Sequence, residues 1–336
     1  MIIRARLAME EQTTKYGGID LGGTKIQTVI VDSEYNVLGS ARQATPATGD
    51  PTGVAKVMEK TLRAAAAEAK VEVSSLAGVG VGSPGTITDG SVSGAHNLPG
   101  WEGTFPLATT LEKAFGCPVK LGNDVDVATL AEFELGAGKP YSSLLGVFWG
   151  TGVGGGIILD GKPWTGRGSA AEIGHVIVEM DGALCACGRR GCMEAYAGRT
   201  AMEEYFLKLV RKGGKTGVLK TMKKRGQERM TSGVWFRALK QNDKLAVQTI
   251  DRAIQALATA IASSVNLLDV EAVIIGGGLG VRLGQPYIDK IIAAMKPNLF
   301  ATSRPLDVRV ASLGDLGGAL GGVVLVRKDV REAGQL

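Results

Sequence analysis

Apolar residues recur along this chain in two alternating rhythms. Short unbroken apolar runs end on clusters of glycine, and longer stretches repeat an apolar residue every third or fourth position. The first rhythm fits buried strands and the second fits amphipathic helices. The pattern predicts a strand ending Gly18-Ile19-Asp20, a loop Leu21-Gly22-Gly23-Thr24-Lys25, a strand Ile26–Val31 and a turn at Asp32-Ser33-Glu34. A helix is expected at about 51–70, where the interior is rich in alanine. Asp50 suits its N-cap and Pro51 its first position. Residues 78–82 read as a strand running into Ser83-Pro84-Gly85-Thr86, and Val119–Leu121 as a strand before a helix at about 126–136.

The second half repeats the theme. An apolar run at 144–149 leads into Gly150-Thr151-Gly152-Val153-Gly154-Gly155-Gly156, then a strand at 157–159 and a turn at Asp160-Gly161. Strand, glycine loop with a threonine, strand and aspartate turn thus occur twice, which points to two related lobes facing one another across a cleft. Between 245 and 268, Val247, Ile250, Ile254, Leu257, Ile261, Val265 and Leu268 form a helical stripe. A strand at 272–275 and a loop Gly276-Gly277-Gly278-Leu279-Gly280 follow. Strands alternating with helices, with glycine loops at strand ends, predict an α/β fold.

Composition narrows the possibilities. A length of 336 residues suggests two domains, and 45% hydrophobic with 21% charged residues is the balance of a soluble globular protein. The net charge is +5. The densest basic stretch, Lys212 to Arg229, lacks interleaved aromatics and reads as a solvated helix or loop, so no nucleic-acid partner is expected. Residues 1–15 read as an N-terminal extension without a secretory signal, and no apolar run approaches the roughly 20 residues of a membrane span. The expectation is a cytoplasmic protein with no membrane partner. Three of the four cysteines fall within eight residues, which in such a protein argues for metal rather than disulfides.

That cluster carries the strongest local signal. His175, Cys185, Cys187 and Cys192 make a complete set of three thiolates and one imidazole, suited to tetrahedral zinc and closed to water, hence structural. Gly188 and Gly191 let the chain turn tightly enough for the sulfurs to converge. Cys117 reads as a plain buried residue. Two other matches fail. Gly150-x-Gly152-x-x-Gly155 has the dinucleotide-binding spacing, but β-forming Ile157-Ile158-Leu159 follows where a helix is needed. Gly156 to Lys162 approaches the Walker A loop, but Pro163 stands where a Ser or Thr must bind magnesium. What remains is a set of glycine loops whose backbone N–H groups can approach phosphates. Asp20, Gly22, Gly23, Thr24 and Lys25 add a carboxylate suited to organising magnesium, a hydroxyl and an ammonium. Together the loops favour a nucleotide cleft. Within Gly122-Asn123-Asp124-Val125-Asp126, Asp126 reads as the cap of the following helix, and Asp124 reads equally as a cap or as a base able to accept a hydroxyl proton.

Asp20-Leu21-Gly22-Gly23-Thr24-Lys25, Asn123-Asp124, Gly150 to Gly156, Glu172-Ile173-Gly174-His175 and the cysteine motif ending at Glu194 occur in the order found in the ROK family of bacterial sugar kinases and sugar-responsive repressors, which this chain resembles from about residue 16 onward. The resemblance implies an α/β, two-lobed actin-like ATPase (ribonuclease H-like) fold with the active site in the interlobe cleft. The lobes expected are 16–121 with a C-terminal helix at about 318–336, and a larger lobe over 122–317 carrying the zinc motif. It implies that Asp124 is the general base, and that Asn97, Asn123, Asp124, Glu172, His175 and Glu194 contact the sugar, His175 also binding zinc. It implies that the loops at 20–25, 150–156 and 276–279 serve the nucleotide, through Asp20, Gly22, Gly23, Thr24, Lys25, Gly150, Thr151, Gly152, Gly154, Gly277, Gly278 and Leu279. The expected reaction is phosphorylation of a hexose 6-hydroxyl with ATP and Mg2+, glucose first among sugars. Mannose, fructose, N-acetylglucosamine and N-acetylmannosamine are the alternatives, and polyphosphate is the alternative donor. A homodimer or homotetramer is implied. Fifteen residues ahead of the first strand are too few for a helix-turn-helix domain, so a repressor is not expected, and intact Asp124 and glycine loops argue against a non-catalytic sugar sensor.

Overall fold

The computed structural model describes residues 14–95, 98–301 and 303–332. The chain forms two compact units. The first holds the residues up to Lys139 and those from Ser312 onward, and the second holds Pro140–Ala311.

The first unit is built on β1 (Tyr16–Leu21), β2 (Lys25–Val31) and β3 (Val37–Ala44), followed by α1 (Pro51–Glu68) and β4 (Val79–Ser83). A small sheet of β5 (Thr86–Thr88), β6 (Ser91–Ser93) and β7 (Thr104–Phe105) comes next, then α2 (Leu107–Phe115), β8 (Val119–Asn123) and α3 (Asp124–Leu135). The main sheet runs β3-β2-β1-β4-β8, with β1, β2 and β3 antiparallel and β1, β4 and β8 parallel. Its central strands β1, β2 and β4 are buried along nearly their whole length because both faces are covered. The helix α1 starts at Pro51 as expected, and the Asp50 carboxylate accepts from the Gly53 N–H at 2.7 Å. Ile19, Leu21, Ile26, Val54, Met58 and Leu62 are fully buried in one core, each contributing about 1.5–3 kcal/mol. The C-terminal helix Gly317–Glu332 covers the other face. It lies backbone to backbone on the sheet, since a Cβ at Gly80 would stand 1.7 Å from the Gly322 carbonyl oxygen.

The division between the units differs from the sequence expectation. The α3 helix, assigned from sequence to the larger lobe, belongs to the first unit. It packs so tightly on the C-terminal helix that a Cβ at Gly321 would meet the Val127 carbonyl oxygen at 2.1 Å. Burial against a segment some two hundred residues away decides this, and no local pattern records it.

The second unit holds β9 (Leu144–Trp149), β10 (Val153–Leu159), β11 (Lys162–Pro163), α4 (Glu194–Ala197), α5 (Arg199–Arg211), α6 (Val218–Lys224), α7 (Ser232–Lys240), α8 (Lys244–Leu268), β12 (Ala272–Gly276), α9 (Gly277–Leu283), α10 (Gln285–Met295) and β13 (Asp307–Val310). Its sheet runs β11-β10-β9-β12-β13. As in the first unit, the first three strands are antiparallel and the last two join in parallel. Asp160 and Gly161 both have positive φ, at 50° and 73°, which makes the two-residue turn that a right-twisted hairpin requires.

Two glycine segments fold otherwise than expected. Gly154, Gly155 and Gly156 belong to β10 rather than to a loop, paired with Phe148, Val147 and Gly146 of β9. Gly277 to Gly280 form the start of α9 rather than a loop. Gly277, at φ 77°, sits where any Cβ would lie 2.5 Å from the Trp149 carbonyl oxygen, so close approach to β9 is what the glycine serves. Among the described residues no helix is long and apolar enough to cross a membrane.

Candidate functional site

In the first unit two carboxylates share one end of the sheet. Asp20 stands near the end of β1, and Asp124 opens α3 just after β8. Asp124 is half-buried. Loss of water around its carboxyl, and then the negative charge of Asp20, push its pKa up to about 6. Val125 N–H donates to it at 3.0 Å, which holds part of that rise back. Asp20 is raised by the same desolvation, opposed by the Lys25 ammonium and assisted by Asp315. Lys25 itself pairs with Asp315 at 3.3 Å. The loop Gly22-Gly23-Thr24 is braced from behind by Thr45, whose hydroxyl donates to the Gly22 carbonyl at 2.5 Å and whose N–H donates to the Thr24 carbonyl at 3.2 Å.

The cap of α3 is Asn123, not Asp126. The Asn123 Oδ1 accepts from Val125 N–H at 2.9 Å and from Asp126 N–H at 3.4 Å, while its Nδ2 donates to the Gly85 carbonyl at 3.3 Å. The helix begins two residues earlier than the sequence suggests, because β8 runs through Asn123 and leaves that side chain, with extended backbone, at the cap position. The capping frees Asp124 from the structural role that its sequence left open. Asn97 lies outside the described residues.

In the second unit the hairpin loop Gly150-Thr151-Gly152 is held by residues from elsewhere in the chain. The Glu194 carboxylate accepts from Val153 N–H at 2.8 Å, and a Cβ at Gly152 would stand 2.2 Å from that carboxylate oxygen. Glycine at 152 therefore makes room for Glu194. Arg199 N–H donates to the Gly150 carbonyl at 3.1 Å, and the Arg199 guanidinium donates to the Thr151 hydroxyl at 2.7 Å and the Ser232 hydroxyl at 3.3 Å. Gly278 lies beside Ser232, and Leu279 is fully buried behind it. The sequence reading missed Arg199, Ser232 and Asp315, since only tertiary packing brings them to the loops. It also missed Ala171, held at φ 60° directly before Glu172. A left-handed alanine costs about 1–2 kcal/mol, and it aims the short turn Ile173–His175.

The sulfur cluster assembles as its spacing predicts. The ligand atoms of His175, Cys185, Cys187 and Cys192 all lie within 4.8 Å of one another. The Cys187 and Cys192 sulfurs are 3.7 Å apart, and the Cys185 sulfur lies 3.8 Å from His175 Nδ1. A tetrahedral zinc with 2.3 Å bonds to sulfur needs edges of about 3.8 Å, so the set fits a tetrahedral metal. Gly188 and Gly191 have φ of 85° and 80°, and a Cβ at Gly191 would collide with the Glu179 carbonyl oxygen. The other ring nitrogen of His175, Nε2, stands 3.9 Å from the exposed Glu172 carboxylate. Tyr196 fastens the loop by bonding Glu179 and accepting from Ala183 N–H at 2.7 Å.

The chain as a whole is similar to known proteins. Residues 16–329 match the ROK family, and the chain belongs to that family. A glucokinase of Thermotoga maritima is 32% identical over 320 residues, spanning 93% of this chain and 97% of that protein. An N-acetylmannosamine kinase of Haemophilus influenzae is 31% identical over 316 residues, spanning 93% and 95%. A ROK family glucokinase from Streptomyces griseus, solved with glucose and AMPPNP, has a TM-score of 0.80 at 31% identity, covering 94% of this chain and 99% of its own. The fold is the actin-like ATPase fold.

Proposed function

We propose that this protein is a cytoplasmic glucokinase, which transfers the terminal phosphoryl group of ATP to the 6-hydroxyl of glucose. The observation that carries the reading is Asp124, a half-buried carboxylate freed from capping duty by Asn123 and raised to about 6. At neutral pH such a group is ionised yet basic enough to take a hydroxyl proton. In this reading Asp124 removes the sugar proton as the oxygen attacks phosphorus, and Asn97 and Asn123 contribute sugar contacts. Glu172, His175 and Glu194 supply the sugar contacts of the second unit. Backbone N–H groups of the loops 22–24 and 150–152 receive the phosphates, with Gly154, Gly277, Gly278 and Leu279 lining the nucleotide's path. Asp20 would hold magnesium, which when bound spreads the charge of the transferring group. His175, Cys185, Cys187 and Cys192 would hold zinc as a structural ion that fixes the ring orientation of His175.

The N-acetylmannosamine kinase relative supports a second reading, a kinase for another hexose. A coupled ADP-release assay with ATP and magnesium across a panel of hexoses separates the two. Turnover highest on glucose supports the proposal. Turnover highest on an N-acetylated sugar selects the second reading, and none on any sugar in folded, zinc-loaded protein rejects both.

A further inference from the structure

Arg199 has a setting that its place in the chain does not explain. It opens α5, and its half-buried guanidinium is turned back onto the 150–152 loop to bond Thr151 and Ser232. Neither partner is charged. Among the described residues no carboxylate lies within ion-pair distance of it. Glu203, one helical turn on, is instead taken by Arg229 at 2.8 Å and by Met230 N–H at 3.1 Å. Arg229 stands close enough that, after burial, its charge is the next influence disfavouring the Arg199 cation, opposed less strongly by Glu203. With Glu203 bonded to Arg229 and Glu194 bonded to Val153 N–H, Arg199 is thus a partly desolvated cation beside the glycine hairpin whose own side-chain bonds go to neutral hydroxyls.

A desolvated, unpaired guanidinium is costly unless an anion completes it. Its geometry suits the oxygens of phosphate, which it can grip with two donors at once. Its present partners are hydroxyls, which give way to a stronger acceptor. We infer that Arg199 receives the phosphate chain of the phosphoryl donor, exchanging its bonds to Thr151 and Ser232 for donor oxygens while Arg229, held by Glu203, supports the field from behind. The inference rests on the kinase reading and deepens it. It assigns donor recognition to a side chain outside the glycine loops, and the group recognised is a condensed phosphate, whether of a nucleoside triphosphate or of inorganic polyphosphate.

The test uses full-length Arg199→Ala and Arg199→Lys, both checked for folding by circular dichroism and for metal content. Titration calorimetry with inorganic tripolyphosphate and with AMPPNP needs no turnover, so it reads Arg199 even if the sugar assignment is wrong. Arg199→Ala should weaken both ligands by about ten- to a hundredfold, the range of a lost charge-assisted hydrogen bond pair. Lysine should restore part of that loss, since it keeps the charge but not the fork. In steady-state assays the KM for the donor should rise by a similar factor and the KM for the hexose by less than about twofold. A rise with ATP alone identifies the nucleotide as the source, and a rise with polyphosphate as well identifies both. Unchanged tripolyphosphate and AMPPNP affinity would overturn the inference. So would parallel shifts in both substrates' KM that lysine does not relieve, because those mark a residue that merely holds the loop.

Discussion

The two units carry the same sheet, and each joins its first two strands by three residues that include one threonine, Gly22-Gly23-Thr24 in one and Gly150-Thr151-Gly152 in the other. What surrounds the loops differs. The first is flanked by chain-local charge: Asp20 before it, Lys25 after it, and a hydroxyl brace from Thr45. The second has no charged residue of its own. Its carboxylate comes from Glu194 and its cation from Arg199, both more than forty residues on. The comparison teaches that one backbone device was fitted to two kinds of chemistry by what packs against it. The first loop lies among acids suited to cations and protons, and the second among groups suited to receiving anions and hydroxyls.

The largest effect should come from the acidic side. Asp124→Ala should lower kcat by about a thousandfold, within the span of general-base catalysis, while glucose binding measured by calorimetry stays within a few-fold. Loss of binding in step with kcat would reduce Asp124 to a structural role. On the other unit, Cys187→Ser should lose metal, read by elemental analysis, and raise the glucose KM by about ten- to a hundredfold, the usual cost of disturbing the support of a metal-held ligand. Full activity in metal-free protein would sever the cluster from the sugar site.

A finer contrast sets the loops directly against each other. A Cβ at Gly152 would push the Glu194 carboxylate off Val153 N–H, whereas a Cβ at Gly22 would meet only the Lys25 carbonyl at 3.1 Å. Gly152→Ala should therefore raise the glucose KM by about tenfold with little loss of Tm. Gly22→Ala should leave the glucose KM alone and cost under about 1 kcal/mol of stability. Equal effects at the two positions would mean that the loops are the same device after all.

A separate effect is on stability and has a definite sign. The folded pKa of Asp124 lies above its ordinary value of 3.8. Ionised Asp124 therefore penalises the fold, and the penalty is absent below about pH 4 and grows as pH rises through 6. Removing the charge should relieve at most about 3 kcal/mol, from two pKa units at 1.36 kcal/mol each. Asp124→Asn should raise Tm at pH 8 and leave it unchanged at pH 4. A lower Tm at pH 8 would show that the carboxylate stabilises the fold.

Much of this is legible in the order of residues alone. The sulfur cluster can be read because three of its ligands are nearly contiguous and no other grouping uses them. Asp124 can be nominated because a strand end meets a helix start there. The cap falls to Asp126 in error because β8 extends two residues beyond its apolar run, to Asn123. The glycines at 154–156 and 277–280 read as loops because local propensity favours that, and close packing on β9 overrides it. Arg199, Ser232 and Asp315 have no local signal at all. Their meaning lies in which loop they reach, and that is set by tertiary packing.

The central claim is that Asp124 works as a base tuned by burial, and the dependence of kcat/KM for glucose on pH tests it most directly. The account predicts an acid limb with an apparent pKa of about 6, raised by burial and by the charge of Asp20, and absent from the residual activity of Asp124→Asn. A profile that stays flat down to pH 5 in the native protein, or a limb that persists unchanged in the variant, would contradict it.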